Sequence, residues 1–120
     1  MLFADAGYPT FHGEFDHFMR RVFPTKRLKI IADDDPLFQM PYRFADGPPP
    51  LWHHGGNRCL GIKYKGRWCV FYHPGDINDA WKTGHSGIGP SAARGAYQVG
   101  INVIYYSFTN YLELTKKYRR

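Results

Sequence analysis

Cysteine is scarce in this chain, and neither Cys59 nor Cys69 belongs to a Cys-x-x-Cys motif, which excludes a thiolate zinc ribbon and a disulfide-stapled scaffold. The two flank a hairpin turning near Lys65 and Gly66 that leaves them out of direct register, so no disulfide is expected. No apolar run approaches the roughly 20 residues of a membrane-spanning helix. Met1 is not followed by the basic, apolar and small-residue pattern of a leader, so the sequence assigns no compartment. A Gly-x-Ser-x-Gly nucleophile elbow is absent, and Ser86 and Ser107 carry no catalytic motif. The glycines Gly84, Gly87 and Gly89 lack the Lys-Ser/Thr of a phosphate loop, and no cofactor motif is recognisable.

What is present is a single domain's worth of chain: 120 residues, 43% hydrophobic and 18% aromatic, enough for a modest core and too apolar for disorder. The net charge is +6, but four of the 16 basic residues are Lys116, Lys117, Arg119 and Arg120, and without them it is +2. A basic end to a helix complements the macrodipole. With no recognition helix, zinc finger or RNA-binding sheet motif, no nucleic-acid partner is expected.

Residues 2–4 read as a short buried strand running into a polar turn, with Asp5 at its carboxyl end, where open α/β sheets collect functional groups. So short an opening strand predicts that the fold begins before this chain does. Thr10 is the expected N-cap of a helix that ends at Phe23 before Pro24, with Phe11, Phe15, Phe18, Met19 and Val22 as its core stripe. Residues 28–31 suggest a second strand. Strand, helix and strand together predict a βαβ unit with a crossover to a parallel neighbour. The acidic run Asp33, Asp34 and Asp35 before Pro36 suits an Asx-capped turn better than a cation site.

Residues 47–56 are too rich in Pro and Gly for regular structure and predict a long loop. Residues 59–64 against 67–72 predict a hairpin whose Gly66 takes the left-handed position of a bulged turn. A second polar loop is expected from 76 to 90, containing Trp81 and His85. A long last helix follows from Ser91, with Ala93, Tyr97, Gly100, Ile101, Ile104, Tyr105, Phe108 and Leu112 on one stripe.

None of the six histidines has helical metal-ligand spacing, and although His73, Asp76 and His85 can be drawn around a zinc ion, no metal is expected. Asp5, His73, Asp76, Trp81 and His85 all fall in or beside turns after strands. A carboxylate, an imidazole and an indole around one crevice suit a polar, ring-containing ligand, and Asp5 with His73 could serve as acid and base.

Several segments in order resemble the bacterial family known as the domain of unknown function numbered 4159. They are Leu-Phe-Ala-Asp-Ala-Gly (2–7), Val-Phe-Pro (22–24), Asp-Asp-Pro-Leu-Phe (34–38), Gly-Ile-Lys-Tyr-Lys-Gly-Arg (61–67), Val-Phe-Tyr-His-Pro-Gly-Asp (70–76), Trp81 and Val-Gly-Ile-Asn-Val-Ile-Tyr-Tyr (99–106). The resemblance implies a flavodoxin-like, class I glutamine-amidotransferase-like α/β sheet, here incomplete, with a β-hairpin and a long C-terminal helix. It also implies that residues 1–120 are the C-terminal part of a larger domain, needing an N-terminal half or a partner chain to complete the sheet. In that fold the nucleophilic cysteine sits where Asp5 stands here. A carboxylate forms no thioester, which argues against glutaminase chemistry. His73-Pro74-Gly75-Asp76 resembles the His-Pro-Glu of those enzymes, although the family usually has serine at the position of His73.

The expected function is accordingly a noncatalytic ligand-binding or interaction module with a small ligand or a protein as partner, no cofactor and no membrane span. The alternative is a divergent hydrolase using Asp5 with His73 or Asp76. A third class, a structural docking domain, draws on Leu51, Trp52 and Trp81 as surface apolar residues.

Overall fold

The computed structural model describes residues 1–48, 58–83 and 89–116. Four strands, β1 (Leu2–Asp5), β2 (Lys29–Ile30), β3 (Leu60–Tyr64) and β4 (Arg67–His73), form one open sheet in the order β1-β4-β3-β2. β1 runs parallel to β4, whereas β3 is antiparallel to both β4 and β2, so the architecture is α/β with a mixed sheet. Helix α1 (Phe11–Val22) covers one face, and α2 (Ile77–Thr83) and α3 (Pro90–Lys116) cover the other.

The expected βαβ unit is corrected in one respect. β1 and β2 point the same way, but β4 and β3 lie between them. β2 has only two residues, both exposed, and pairs with β3 at the opposite edge, while β1 takes β4 as its parallel neighbour, with Phe3 opposite Phe71. The seven-residue, largely buried β4 is the strand with enough apolar surface to sit centrally.

The hairpin forms as expected, with a different turn. Lys65 (φ 52°) and Gly66 (φ 77°) are both left-handed, the signature of a two-residue type I′ loop, and the bulge lies at Ile62/Lys63 instead. There the Cys69 thiol donates to the Ile62 carbonyl at 3.4 Å. Cys59 and Cys69 are free thiols.

Two cores follow from the alternation along β4, which the bulge interrupts at Cys69 and so sets Trp68 on the face opposite Val70. Val70 and Tyr72 face α1 and pack with Phe15 and Met19, while Trp68 and Phe71 face α3 and pack with Ala96, Val99 and Val103. Of the stripe assigned to α1, Phe15 and Met19 are buried, whereas Phe18 and Val22 are exposed. Thr10 holds the N-cap position without a side-chain hydrogen bond. In α3 the stripe is displaced more: the buried face is Ala92, Ala96, Val99 and Val103. Tyr97, Ile101, Ile104, Tyr105, Phe108 and Leu112 stand exposed, Phe108 by 64%. Alanine lets the helix approach the sheet closely, and this short-side-chain face outcompetes the bulkier one for the layer against β4.

The acidic run is a turn, as the sequence suggests. Asp35 caps the short 3-10 helix Pro36–Phe38 by accepting from the Leu37 N–H at 3.0 Å, and its second oxygen accepts from Trp68 Nε1 at 3.0 Å.

Candidate functional site

The carboxyl ends of β1 and β4 meet the start of α2, and three of the expected site residues gather there. Asp5 and His73 are register partners, and the Ala6 N–H extends the ladder to the His73 carbonyl at 3.2 Å. Half-buried Asp5 accepts from the Asn78 N–H at 2.9 Å, and Asp76 accepts from the Asp79 N–H at 3.0 Å. Both carboxylates thereby satisfy unpaired amides of the first turn of α2. Burial pushes the Asp5 carboxyl above the usual aspartate range, with the Asp76 charge adding to it and the Asn78 N–H opposing it.

His73 is buried, and its Nδ1 accepts from the Gly75 N–H at 2.9 Å. That bond assigns the proton of the neutral ring to Nε2. Burial lowers the imidazole pKa to about 4, so the ring is uncharged at neutral pH and its Nδ1 lone pair is engaged by backbone.

Trp81 lies on α2, where a polar loop was expected. Asp76, three residues before Asp79, is the capping signal that marks this short helix. The indole Nε1 donates to the Ala96 carbonyl at 2.9 Å, and the Tyr97 hydroxyl donates to the carbonyl of Trp81. The ring stands 5.4 Å from Phe3 and so close to Gly100 that a Cβ there would lie 2.8 Å from its edge. Beside it opens a groove of about 620 Å³, bounded by Phe3, Trp81, Gly100, Ile101, Ile104 and Phe108.

The profile of the family described as Domain of unknown function (DUF4159) matches residues 1–108. The chain belongs to that family. No protein of curated function matches the sequence.

The matched span of this DUF4159 domain contains Asp5, His73, Asp76 and Trp81 together with the whole groove lining. The structure thus brings Asp5, His73 and Asp76 to one strand end and sets Trp81 in the groove wall. His85, Leu51 and Trp52 lie outside the described residues. Among the described residues no group of three His, Cys, Asp or Glu side chains is placed to hold a metal ion.

Sequence reasoning missed two features of this region. The buried Tyr72 hydroxyl meets His12 Nδ1 at 3.2 Å under the start of α1, and burial, aided by the charge of Asp5, pushes the phenol up to about 12. The groove was missed because its lining on α3 was assigned to the core. The signal was the run of small residues Ala92, Ala93, Gly95 and Ala96, a closer-packing stripe than the aromatic one.

Proposed function

We propose that this domain is a noncatalytic binding module on an amidotransferase-like α/β fold, with Asp5 at the place of the nucleophilic cysteine, and that it takes a flat, apolar, ring-containing ligand in the groove beside Trp81. One contrast carries this reading: Asp5, His73 and Asp76 each accept a backbone amide, while Phe3, Trp81, Ile101, Ile104 and Phe108 border a groove of about 620 Å³. That volume falls within the range of small-molecule sites, roughly 300 to 1,000 Å³. The lining changes the ligand expected from the sequence, from polar to apolar, because Asp5, His73 and Asp76 are each engaged by a backbone amide outside the groove lining. Helices on both faces of an open sheet, with carboxylates at a parallel strand end, support the fold assignment.

The neutral dye N-phenyl-1-naphthylamine tests the groove. It is expected to gain fluorescence on binding, to lose affinity about tenfold or more with Ile104→Asp, and to be indifferent to Asp5→Asn. The raised pKa of Asp5 is what favours the alternative of a hydrolase using Asp5 as an acid. Turnover of an ester, amide or glycoside panel that Asp5→Asn abolishes would establish that alternative in place of the binding module.

A further inference from the structure

We propose that the end of the sheet from which β1, β2 and β4 start is a docking surface for an anionic phospholipid bilayer. The topology collects charge there. β1, β2 and β4 all run away from this end, and the β3–β4 turn lies at it, so Lys26, Arg27, Lys63, Lys65 and Arg67 converge there, while Lys29, paired with Gly61, stands further along the sheet. Helix α1 returns from the far end of β1 toward the start of β2 and adds Arg20 and Arg21 in its last turn. α3 arrives with Ser107 against Met1 at 3.6 Å and the Tyr106 hydroxyl on the Trp68 N–H at 2.9 Å. Its residues 109–116 then project about 10 Å further and end at Lys116. The acids nearest to these cations along α1 and α3 are Asp16, paired with Arg20 at 3.0 Å, and Glu113, paired with Lys116 at 3.1 Å. The opposite end of the sheet carries Asp5, Glu14, Asp33, Asp34, Asp76 and Asp79 with Arg58 3.6 Å from Asp33, and Asp35 reaches the basic end, where it accepts from Trp68 Nε1 at 3.0 Å.

Tyr64 concentrates the cations. The Lys65 and Lys26 ammonium groups lie 5.4 and 5.8 Å from its ring centroid, which holds them together against mutual repulsion. Apolar side chains stand exposed around this basic end: Met1, Leu2, Tyr64, Phe108 and Leu112. A cluster of four to eight Lys and Arg beside exposed aliphatic and aromatic groups is the composition that binds the interface of an anionic leaflet, each cation contributing about 1 kcal/mol near the surface. The aliphatic members decide between a bilayer and a polynucleotide, since Leu2 and Leu112 have no place on a phosphate backbone but bury in the headgroup layer. Among the described residues no helix is long and apolar enough to cross a membrane, so the contact is peripheral.

Flotation of the purified chain with vesicles tests this. The chain is expected to float with phosphatidylcholine vesicles containing about 30% phosphatidylglycerol and not with phosphatidylcholine alone. Raising ionic strength from about 0.1 M to about 1 M shortens the screening length from about 10 to about 3 Å and is expected to release it. Lys63→Gln with Lys65→Gln, exposed positions at the end of β3 and in the turn that follows, should lower partitioning between about tenfold and thirtyfold. Leu112→Ser should lower it about fivefold with the salt dependence retained. Absence of flotation with the anionic vesicles, or equal flotation with both kinds, overturns the proposal. So does tighter binding to a single-stranded RNA homopolymer that Leu112→Ser leaves unchanged.

Discussion

Asn102 clasps the backbone of Tyr42 from both sides: its Oδ1 accepts from the Tyr42 N–H at 3.0 Å and its Nδ2 donates to the Tyr42 carbonyl at 2.7 Å. The same amide also donates to the Leu37 carbonyl at 3.0 Å, and Asn102 is fully buried. One side chain on α3 therefore supplies the partners that the loop after the 3-10 helix lacks, and fixes that loop to the helix.

Asn102→Leu keeps the volume and removes all three bonds. Each buried backbone group left unpaired costs about 1 to 3 kcal/mol, so a loss of about 3 kcal/mol or more is expected in urea unfolding at unchanged slope. A loss under about 1 kcal/mol would show that the loop detaches without consequence for the rest of the fold.

His73 sets a pH dependence. Folding keeps its ring neutral down to about pH 4, whereas the unfolded chain takes up that proton near 6.5. The unfolded state therefore binds more protons between these values, so the stability contributed is full above about pH 6.5 and is lost as pH falls toward 4, by on the order of 3 kcal/mol. Chemical denaturation at pH 7 and pH 4 should show the fall, and His73→Gln should flatten it. The His73 ring resonances should titrate near pH 4 in NMR.

Asp5 works in the opposite sense. Its folded pKa lies above the unfolded value of 3.8, so its ionisation opposes folding, and its contribution is most favourable below pH 3.8 and is lost as pH rises through the folded pKa. Asp5→Asn is nearly isosteric and can still accept from the Asn78 N–H. The variant is expected to melt at or above the temperature of the parent at pH 7, with the gap closing as the parent becomes protonated in acid. A clear loss at pH 7 would mean that the charge itself, through the first turn of α2, outweighs the cost of burial.

Two helical glycines should respond oppositely to alanine. Gly13 in α1 has no atom within 4 Å of where a Cβ would stand, so Gly13→Ala is expected to stabilise by about 0.5 to 1 kcal/mol. At Gly100 the added carbon meets the Trp81 ring at 2.8 Å, and Gly100→Ala should destabilise by about 1 to 3 kcal/mol and shift tryptophan emission as the indole is displaced. Thermal melts and emission spectra of the two variants check the pair.

The hairpin, both long helices and the parallel strand ending at Asp5 were legible because each rests on local rules: alternation, helical spacing, an N-cap position, and a Lys-Gly dipeptide that accepts two left-handed residues. α2 escaped because it is only seven residues long, below the length at which periodicity declares itself, and Asp76 was its main mark. At the site, the sequence brought Asp5, His73 and Asp76 under suspicion by their place after strands, and the structure gathers them at one sheet end. The sequence could not reveal that Asp5 is engaged by the Asn78 amide, since that bond links residues 73 apart, whereas the His73–Gly75 and Asp76–Asp79 bonds are local.

Composition, patterning and motif order by themselves determined that this is an α/β domain of the DUF4159 family with a hairpin and a long last helix. Which face of α3 meets the sheet, which strand stands beside β1, and where the cations collect were decided by tertiary structure alone. The physical reason is that helical spacing offers two apolar stripes on α3, and the choice between them is set by how closely a partner can approach: Ala92, Ala96 and Val99 admit β4, while the larger Ile101, Ile104 and Phe108 are left to border the groove.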